Sequence, residues 1–334
     1  MSLLKIAATS AMVVACHAAG AFAQSAYAPS SKTFKDWEVG CDNLRGCVAM
    51  GFLRDESANG YIRVSLAGGP NAKPEIKLII DGDEIADMRV LTPDGAGRGF
   101  AALIAAARKH DRATLSDAKG GKKAEFSLAG AAAALLFIDD AQGRVGTTTA
   151  LVRSGPKPAS AVPPALKEPA IKAVATAAFG AADPKLKGAL LKALPQSVRD
   201  ECDRMTDKPD GDIGEAFAMG GGLTFVMLPC DAGAYNFNSV AWLVKGSDVA
   251  NAQSVQFAEP DGKPSEGLTN ADYDPATGEL SFFNKGRGVG DCGVAGSYVW
   301  TGRGFALASY RKMGRCQGAE LDVWPSIWRT TIAK

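Results

Sequence analysis

Asp272 and Asp274 stand two residues apart in the run Asn270-Ala-Asp-Tyr-Asp-Pro275. A pair of carboxylates suffices for glycoside hydrolysis, one acting as acid and the other as base or nucleophile. The same oxygen-rich run suits a turn closed by side-chain to backbone bonds. It also suits a hard cation such as calcium, although the spacing is not that of an EF-hand. A second candidate is the glycine-rich run Phe283-Asn-Lys-Gly-Arg-Gly-Val-Gly-Asp-Cys-Gly293. Its Lys285 and Arg287, with Asp291 beside them, offer charges to a ligand, and glycine-rich backbone can cradle an anion. A strand rather than a helix is expected to follow, so the phosphate-loop pattern is incomplete. The glycines fit equally well a tight turn locked at Cys292. The third candidate is Trp328 in Trp324-Pro-Ser-Ile-Trp328-Arg329, either a docking aromatic or core. Trp242 and Trp300 are expected in the core.

Ordinary catalytic equipment is scarce. The only histidines are His17 and His110. His110 sits among Arg108, Lys109, Asp111 and Arg112 at the expected end of a helix, where a solvent-facing charged cap accounts for it. A Ser-His-Asp or Cys-His site would have to use His110. No paired C-x-x-C is present, so no metal site is assigned. No catalytic residue and no cofactor is assigned either.

The chain opens with Lys5, an apolar run from Ile6 to Ala15, and Ala21-Phe22-Ala23. That order is an export signal, expected to occupy residues 1–23. The run is shorter than the ~20 residues of a membrane span, and no later stretch is expected to cross. Val13-Val14-Ala15-Cys16 also fits a lipobox, which would place a lipid anchor on Cys16. The mature chain would then be periplasmic or, alternatively, a lipoprotein. Cys41, Cys47, Cys202, Cys230, Cys292 and Cys316 remain. An even cysteine count in an exported chain favours disulfides. Taking them in sequence order pairs 41 with 47, 202 with 230 and 292 with 316.

The chain carries 37 Lys and Arg against 36 Asp and Glu. Such balance supplies no field to steer nucleic acid or anionic lipid. Strand patterns dominate. Phe34–Cys41, Cys47–Leu53, Tyr61–Leu66 and Glu75–Ile80 read as strands. Residues 98–110 and 130–138 read as helices, and Thr147–Val152 as a last strand. A first β-rich domain with helices is expected over 32–154. A Pro/Ala segment, 155–180, follows as a semi-rigid linker. Residues 181–334 are expected to hold a helical lead-in and a second antiparallel β domain. The fold class is therefore α+β, mainly β, with two antiparallel β-rich domains.

Several segments together carry a family resemblance. They are Phe34-Lys-Asp-Trp-Glu-Val-Gly-Cys-Asp-Asn43, Ser127-Leu-Ala-Gly130, Asp139-Asp-Ala-Gln-Gly-Arg-Val-Gly146, Gly233-Ala-Tyr-Asn236, the run from Lys285 to Gly293, and Trp324 to Arg329. On these the chain resembles a family of exported proteobacterial proteins known only as a domain of unknown function. The front half also resembles the invasion-associated locus B proteins, which are β-rich and periplasmic. The resemblance implies an envelope protein, supports three disulfides, and supplies no catalytic residues.

The expected function is a non-enzymatic envelope factor that binds another protein or a cell-wall component. One alternative is a carboxylate-based hydrolase of envelope glycan using Asp272 and Asp274. Another is an inhibitor of a lysozyme-like enzyme, with Lys285 and Arg287 set against acidic catalytic residues.

Overall fold

The computed structural model describes residues 27–54, 60–205, 214–265 and 267–333. Residues 1–23, expected as an export signal, and Cys16 among them lie outside the described residues.

The first sheet is an antiparallel meander of six strands in sequence order. They are β1 (Ser30–Phe34), β2 (Trp37–Cys41), β3 (Cys47–Phe52), β4 (Gly60–Leu66), β5 (Glu75–Ile80) and β6 (Asp83–Glu84). The run expected as one strand over 34–41 is broken, because Lys35 takes a φ of 50° and turns Phe34 back to face Trp37. In β4 burial alternates residue by residue, the period-two signature of a strand. Alternation in β3 serves two cores at once. Cys47 and Ala49 face the first core, whereas Val48, Met50 and Phe52 face Met313, Ala319 and Trp324 from the end of the chain.

The first core is closed by a four-stranded sheet and two helices. The sheet holds β7 (Arg89–Thr92), β8 (Gly95–Arg98), β9 (Arg112–Ser116) and β10 (Lys123–Ser127), in the order β10-β9-β7-β8. Helix α1 (Gly99–Ala107) buries Leu103, Ile104 and Ala106. Helix α2 (Ala131–Ala141) starts from Gly130, whose φ is 96°. A Cβ there would stand 1.8 Å from the Phe34 carbonyl oxygen, so the approach of helix to hairpin requires glycine. The hairpin is further tied to the same stretch by Trp37 Nε1 donating to Ser127 O at 2.8 Å.

Thr147–Val152 is turns and bends, with one isolated bridge from Thr147 to Lys157, rather than the expected strand. The buried Asp139 carboxylate accepts the backbone N–H groups of Leu151, Val152 and Arg153. Those donors are thereby unavailable to a sheet ladder. Residues 155–180 connect the two halves and are packed against them. Val162 is buried, and β11 (Ala170–Lys172) pairs in parallel with the last strand of the chain.

The second half is a β-sandwich. One sheet runs β12 (Glu215–Gly220), β13 (Leu223–Ala232), β14 (Phe237–Lys245), β15 (Asp248–Ser254). Short strands β16 (Phe257–Ala258) and β17 (Pro264–Ser265) pair with each other, and β18 (Gly267–Thr269) pairs with β14. The facing sheet runs β19 (Asp272–Asp274), β20 (Glu279–Lys285), β21 (Gly293–Trp300), β22 (Phe305–Met313), β23 (Ser326–Arg329). The last strand, β24 (Thr331–Ala333), is the partner of β11. Phe225 and Met227 from one sheet meet Leu280, Tyr298 and Trp300 from the other. The outer face of the β12–β15 sheet, including Val226 and Trp242, is covered by helix α3 (Leu186–Ala193). Both Trp242 and Trp300 are core residues, as expected.

Candidate functional site

Three segments meet at one end of the sandwich: 233–237 before β14, 270–272 before β19, and 284–291 after β20. Asn270 is the knot between them. Its side-chain N–H groups donate to the carbonyl oxygens of Tyr235 (3.2 Å) and Phe283 (2.8 Å) and to Asn236 Oδ1 (3.1 Å). Its Oδ1 accepts the Phe237 N–H at 3.1 Å. Asn270 has a φ of 48°, a left-handed conformation that asparagine tolerates better than most residues. Asn236 ties the first and third segments. Its Nδ2 donates to Lys285 O at 2.9 Å and its Oδ1 accepts the Lys285 N–H at 3.1 Å.

The glycine-rich loop is fixed at its far end as well. Arg287 donates from Nε and Nη2 to Asp291, at 2.7 and 2.5 Å. Asp291 Oδ2 also accepts the Gly318 N–H at 2.6 Å. The guanidinium of Arg287 is the main reason its carboxyl sits below the usual range, with the Gly318 bond adding to it and burial opposing both. Cys292 is bonded to Cys316. Gly293 has a φ of 130°, and a Cβ on it would lie 2.0 Å from Asn284 O. The glycines of this run thus make a turn that folds back on its own strand.

On this framework Tyr235, Phe237 and Val289 are exposed. Val289 is the most open, at 78%. The Tyr235 hydroxyl donates to Gly286 O at 3.3 Å, and its ring edge lies 3.5 Å from the Cβ position of Gly288. These three residues carry no sequence signal of exposure, since buried and exposed aromatics look alike in a strand pattern. The run Gly233-Ala-Tyr-Asn236 marked the segment of Tyr235, and the glycine-rich run marked that of Val289.

Lys285, Arg287 and Asp291 belong to this cluster. Lys285 lies with its ammonium 5.7 Å from the centre of the Phe283 ring. Asp272 and Asp274 are both exposed on edge strand β19, either side of the buried Tyr273. Both oxygens of Asp274 serve its own turn, accepting Ala276 N–H and Thr277 Oγ1–H at 2.8 Å each. Trp328 is on β23, at the opposite edge of the same sheet from Asp272. It packs partly buried on the sandwich core, with its Nε1 donating to Thr330 Oγ1 at 3.0 Å. Three intervening strands separate the two edges, about 19 Å along the sheet at ~4.8 Å per step. His110 pairs with Asp94 at 3.0 Å.

All three disulfides follow sequence order: Cys41–Cys47, Cys202–Cys230 and Cys292–Cys316. Asp291, Cys292 and Cys316 bring potential metal-ligand atoms within 4.8 Å of one another. With both sulfurs in a disulfide and Asp291 bonded to Arg287 and Gly318, the cluster presents no thiolate to an ion.

A disulfide-stapled, mainly β protein with a rigid glycine-rich loop is the class that fold and site define. The chain belongs to the family described as "Protein of unknown function (DUF1176)", which it matches over residues 31–331. It is similar to the "Uncharacterized protein YpfG" of Escherichia coli (strain K12), with 28% identity over 346 residues, covering 91% of this chain and 94% of that protein. No solved structure matches. Among the described residues no helix is long and apolar enough to cross a membrane.

Proposed function

We propose that this is an exported protein of the cell envelope that acts by binding an envelope component, and that it binds through the face built by 233–237, 270–272 and 284–291. One observation carries the reading. Three of the six large hydrophobic side chains that stand exposed among the described residues are Tyr235, Phe237 and Val289, all on this one immobilised framework. Apolar groups held rigidly in water lose little conformational freedom on binding, which is what makes good anchors. Three disulfides support an oxidising compartment. The charges of the loop serve its architecture: Arg287 holds Asp291, and Asp291 holds Gly318.

Co-sedimentation of the purified mature chain with envelope fractions tests the reading. The triple variant Tyr235→Ser, Phe237→Ser, Val289→Ser should bind at least roughly tenfold more weakly than the wild type. Equal binding by the two proteins, or binding by neither, refutes it.

A further inference from the structure

We infer that residues 314–333 are a strap that completes the first half of the molecule, and that the first half closes only once this segment, which begins 276 residues beyond Glu38, is in place. Until then the chain stays unfolded, the condition in which a polypeptide can thread a membrane channel. That role in threading rests on the export reading given above.

Strands β2 and β3 are buried at every position, whereas β4 alternates residue by residue. An antiparallel sheet commonly leaves one face to water, so the outer face of β2 and β3 has a cover of its own. The strap is that cover. Val48, Met50 and Phe52 of β3 cluster with Met313 and, from the strap, with Ala319 and Trp324. Trp324 is fully buried, and its Nε1 donates to Ala319 O at 2.9 Å. On β2, the buried Glu38 carboxylate accepts the Gly314 N–H. A Cβ on Gly40 would stand 2.7 Å from both Ile327 Cδ1 and Pro325 Cβ, so glycine at 40 lets the strap lie this close. Beyond it, Arg329 Nε pairs with Asp42 at 2.7 Å, and β24 pairs with β11.

Each of the three disulfides closes within one half, so none of them ties the strap to the first sheet. Without the strap, the first sheet presents Val48, Met50 and Phe52 to water. A domain with a complete core folds as a unit, and the one nearer the N-terminus folds first during synthesis. The first half has an inner core of its own but lacks the outer cover until the strap arrives. Closing so long a loop costs chain entropy before any contact across it forms. The sequence shows the same dependence: β3, Cys47-Val-Ala-Met-Gly-Phe52, has no polar position to give to solvent.

Refolding of the full mature chain from urea, with its disulfides intact, tests the strap by pulsed hydrogen exchange. Amides of β2 and β3 should gain protection in the same kinetic phase as those of Gly314, Gly318 and Trp324. At equilibrium in graded urea, peptides from β4 and from β21 should lose protection at one shared midpoint. Trp324→Ala in the strap and Leu103→Ala in the first core should each lower both midpoints by the same amount. If a variant does not fold, the two wild-type measurements decide alone. Protection of β2 and β3 in a phase ahead of the strap, or separate wild-type midpoints, overturns the inference. So does a Trp324→Ala shift confined to β21. Cell fractionation tests export separately. A chain confined to the cytoplasm refutes the export reading and with it the role in threading, whatever the refolding shows.

Discussion

Both carboxylate oxygens of buried Glu38 accept the backbone N–H of Gly314, at 2.8 and 2.7 Å, across 276 residues of chain. This bond joins the first sheet to the turn that also carries Cys316 and Gly318. Neighbouring bonds repeat the theme. Arg63 Nε donates to Val323 O, Arg315 donates to Lys35 O, and Asn43 exchanges two hydrogen bonds with the backbone of Arg329. Glu38→Ala should therefore destabilise the whole protein, by about 1–3 kcal/mol, read as a lower midpoint in urea. Glu38→Gln keeps an acceptor for Gly314 and should lose much less.

The pH dependence separates these variants further. Burial is the main cause pushing the Glu38 carboxyl above its ordinary value of 4.5, against the pull of the Gly314 bond and nearby cations. In the window above 4.5 the folded state then holds more protons than the unfolded one. Stability contributed by Glu38 is full below that value and falls as pH rises through the folded pKa. The stability difference between wild type and Glu38→Gln should therefore shift against the wild type from pH 4 to 7. A difference that is flat with pH contradicts this.

Asp291 has the opposite sign. The Arg287 guanidinium holds its carboxyl below 3.8. Its contribution is present above 3.8 and is lost as pH falls through the folded value. Asp291→Asn leaves Arg287 without its charged partner and weakens the hold on Gly318. Trypsin should cut after Arg287 faster in the variant, at pH 8, while the wild-type loop resists. Mass spectrometry of the fragments checks the site.

Gly130→Ala should be among the most damaging small substitutions. It places a methyl group against the Phe34 carbonyl and forces a φ of 96° on a residue with a Cβ. A loss of about 1–3 kcal/mol is expected, measured by thermal or urea unfolding. Gly82→Ala is the control for φ alone. Gly82 has a φ of 81° with nothing within 4 Å of its Cβ position, so it should cost less.

Alkylation of the unfolded, unreduced mature chain should label no cysteine of the six that are paired. Replacing Cys202 and Cys230 together by alanine opens a loop of sequence separation 28 and should lower stability by about 3–4 kcal/mol. The pair Cys41 and Cys47, separated by 6, should matter less.

Much of this protein is set by local sequence. The strand character of Gly60–Leu66 and Glu75–Ile80 follows from side chains two apart, and the helices from apolar spacing along 98–110 and 130–138. Nearest-neighbour disulfide pairing followed from order along the chain, because each pair closes a loop within its own half. The charges of the glycine-rich loop were also visible as residues. Their roles were not, since nothing in the order of residues shows that Arg287 bonds to Asp291 rather than to a ligand.

The exposed face of Tyr235, Phe237 and Val289, and the seam between the halves, were decided only by tertiary structure. Tyr235, Asn270 and Gly288 are brought together by the stacking of two sheets and by a single asparagine in a left-handed turn. Trp324 and Trp328 lie four residues apart, yet one is buried against the first sheet and the other packs half-buried on the sandwich core. Thr147–Val152 lost its strand to a carboxylate on a neighbouring helix. The physical reason is common to all of these. Backbone periodicity is fixed over a few residues, whereas exposure and hydrogen-bond partners depend on which distant surface arrives to cover each side chain.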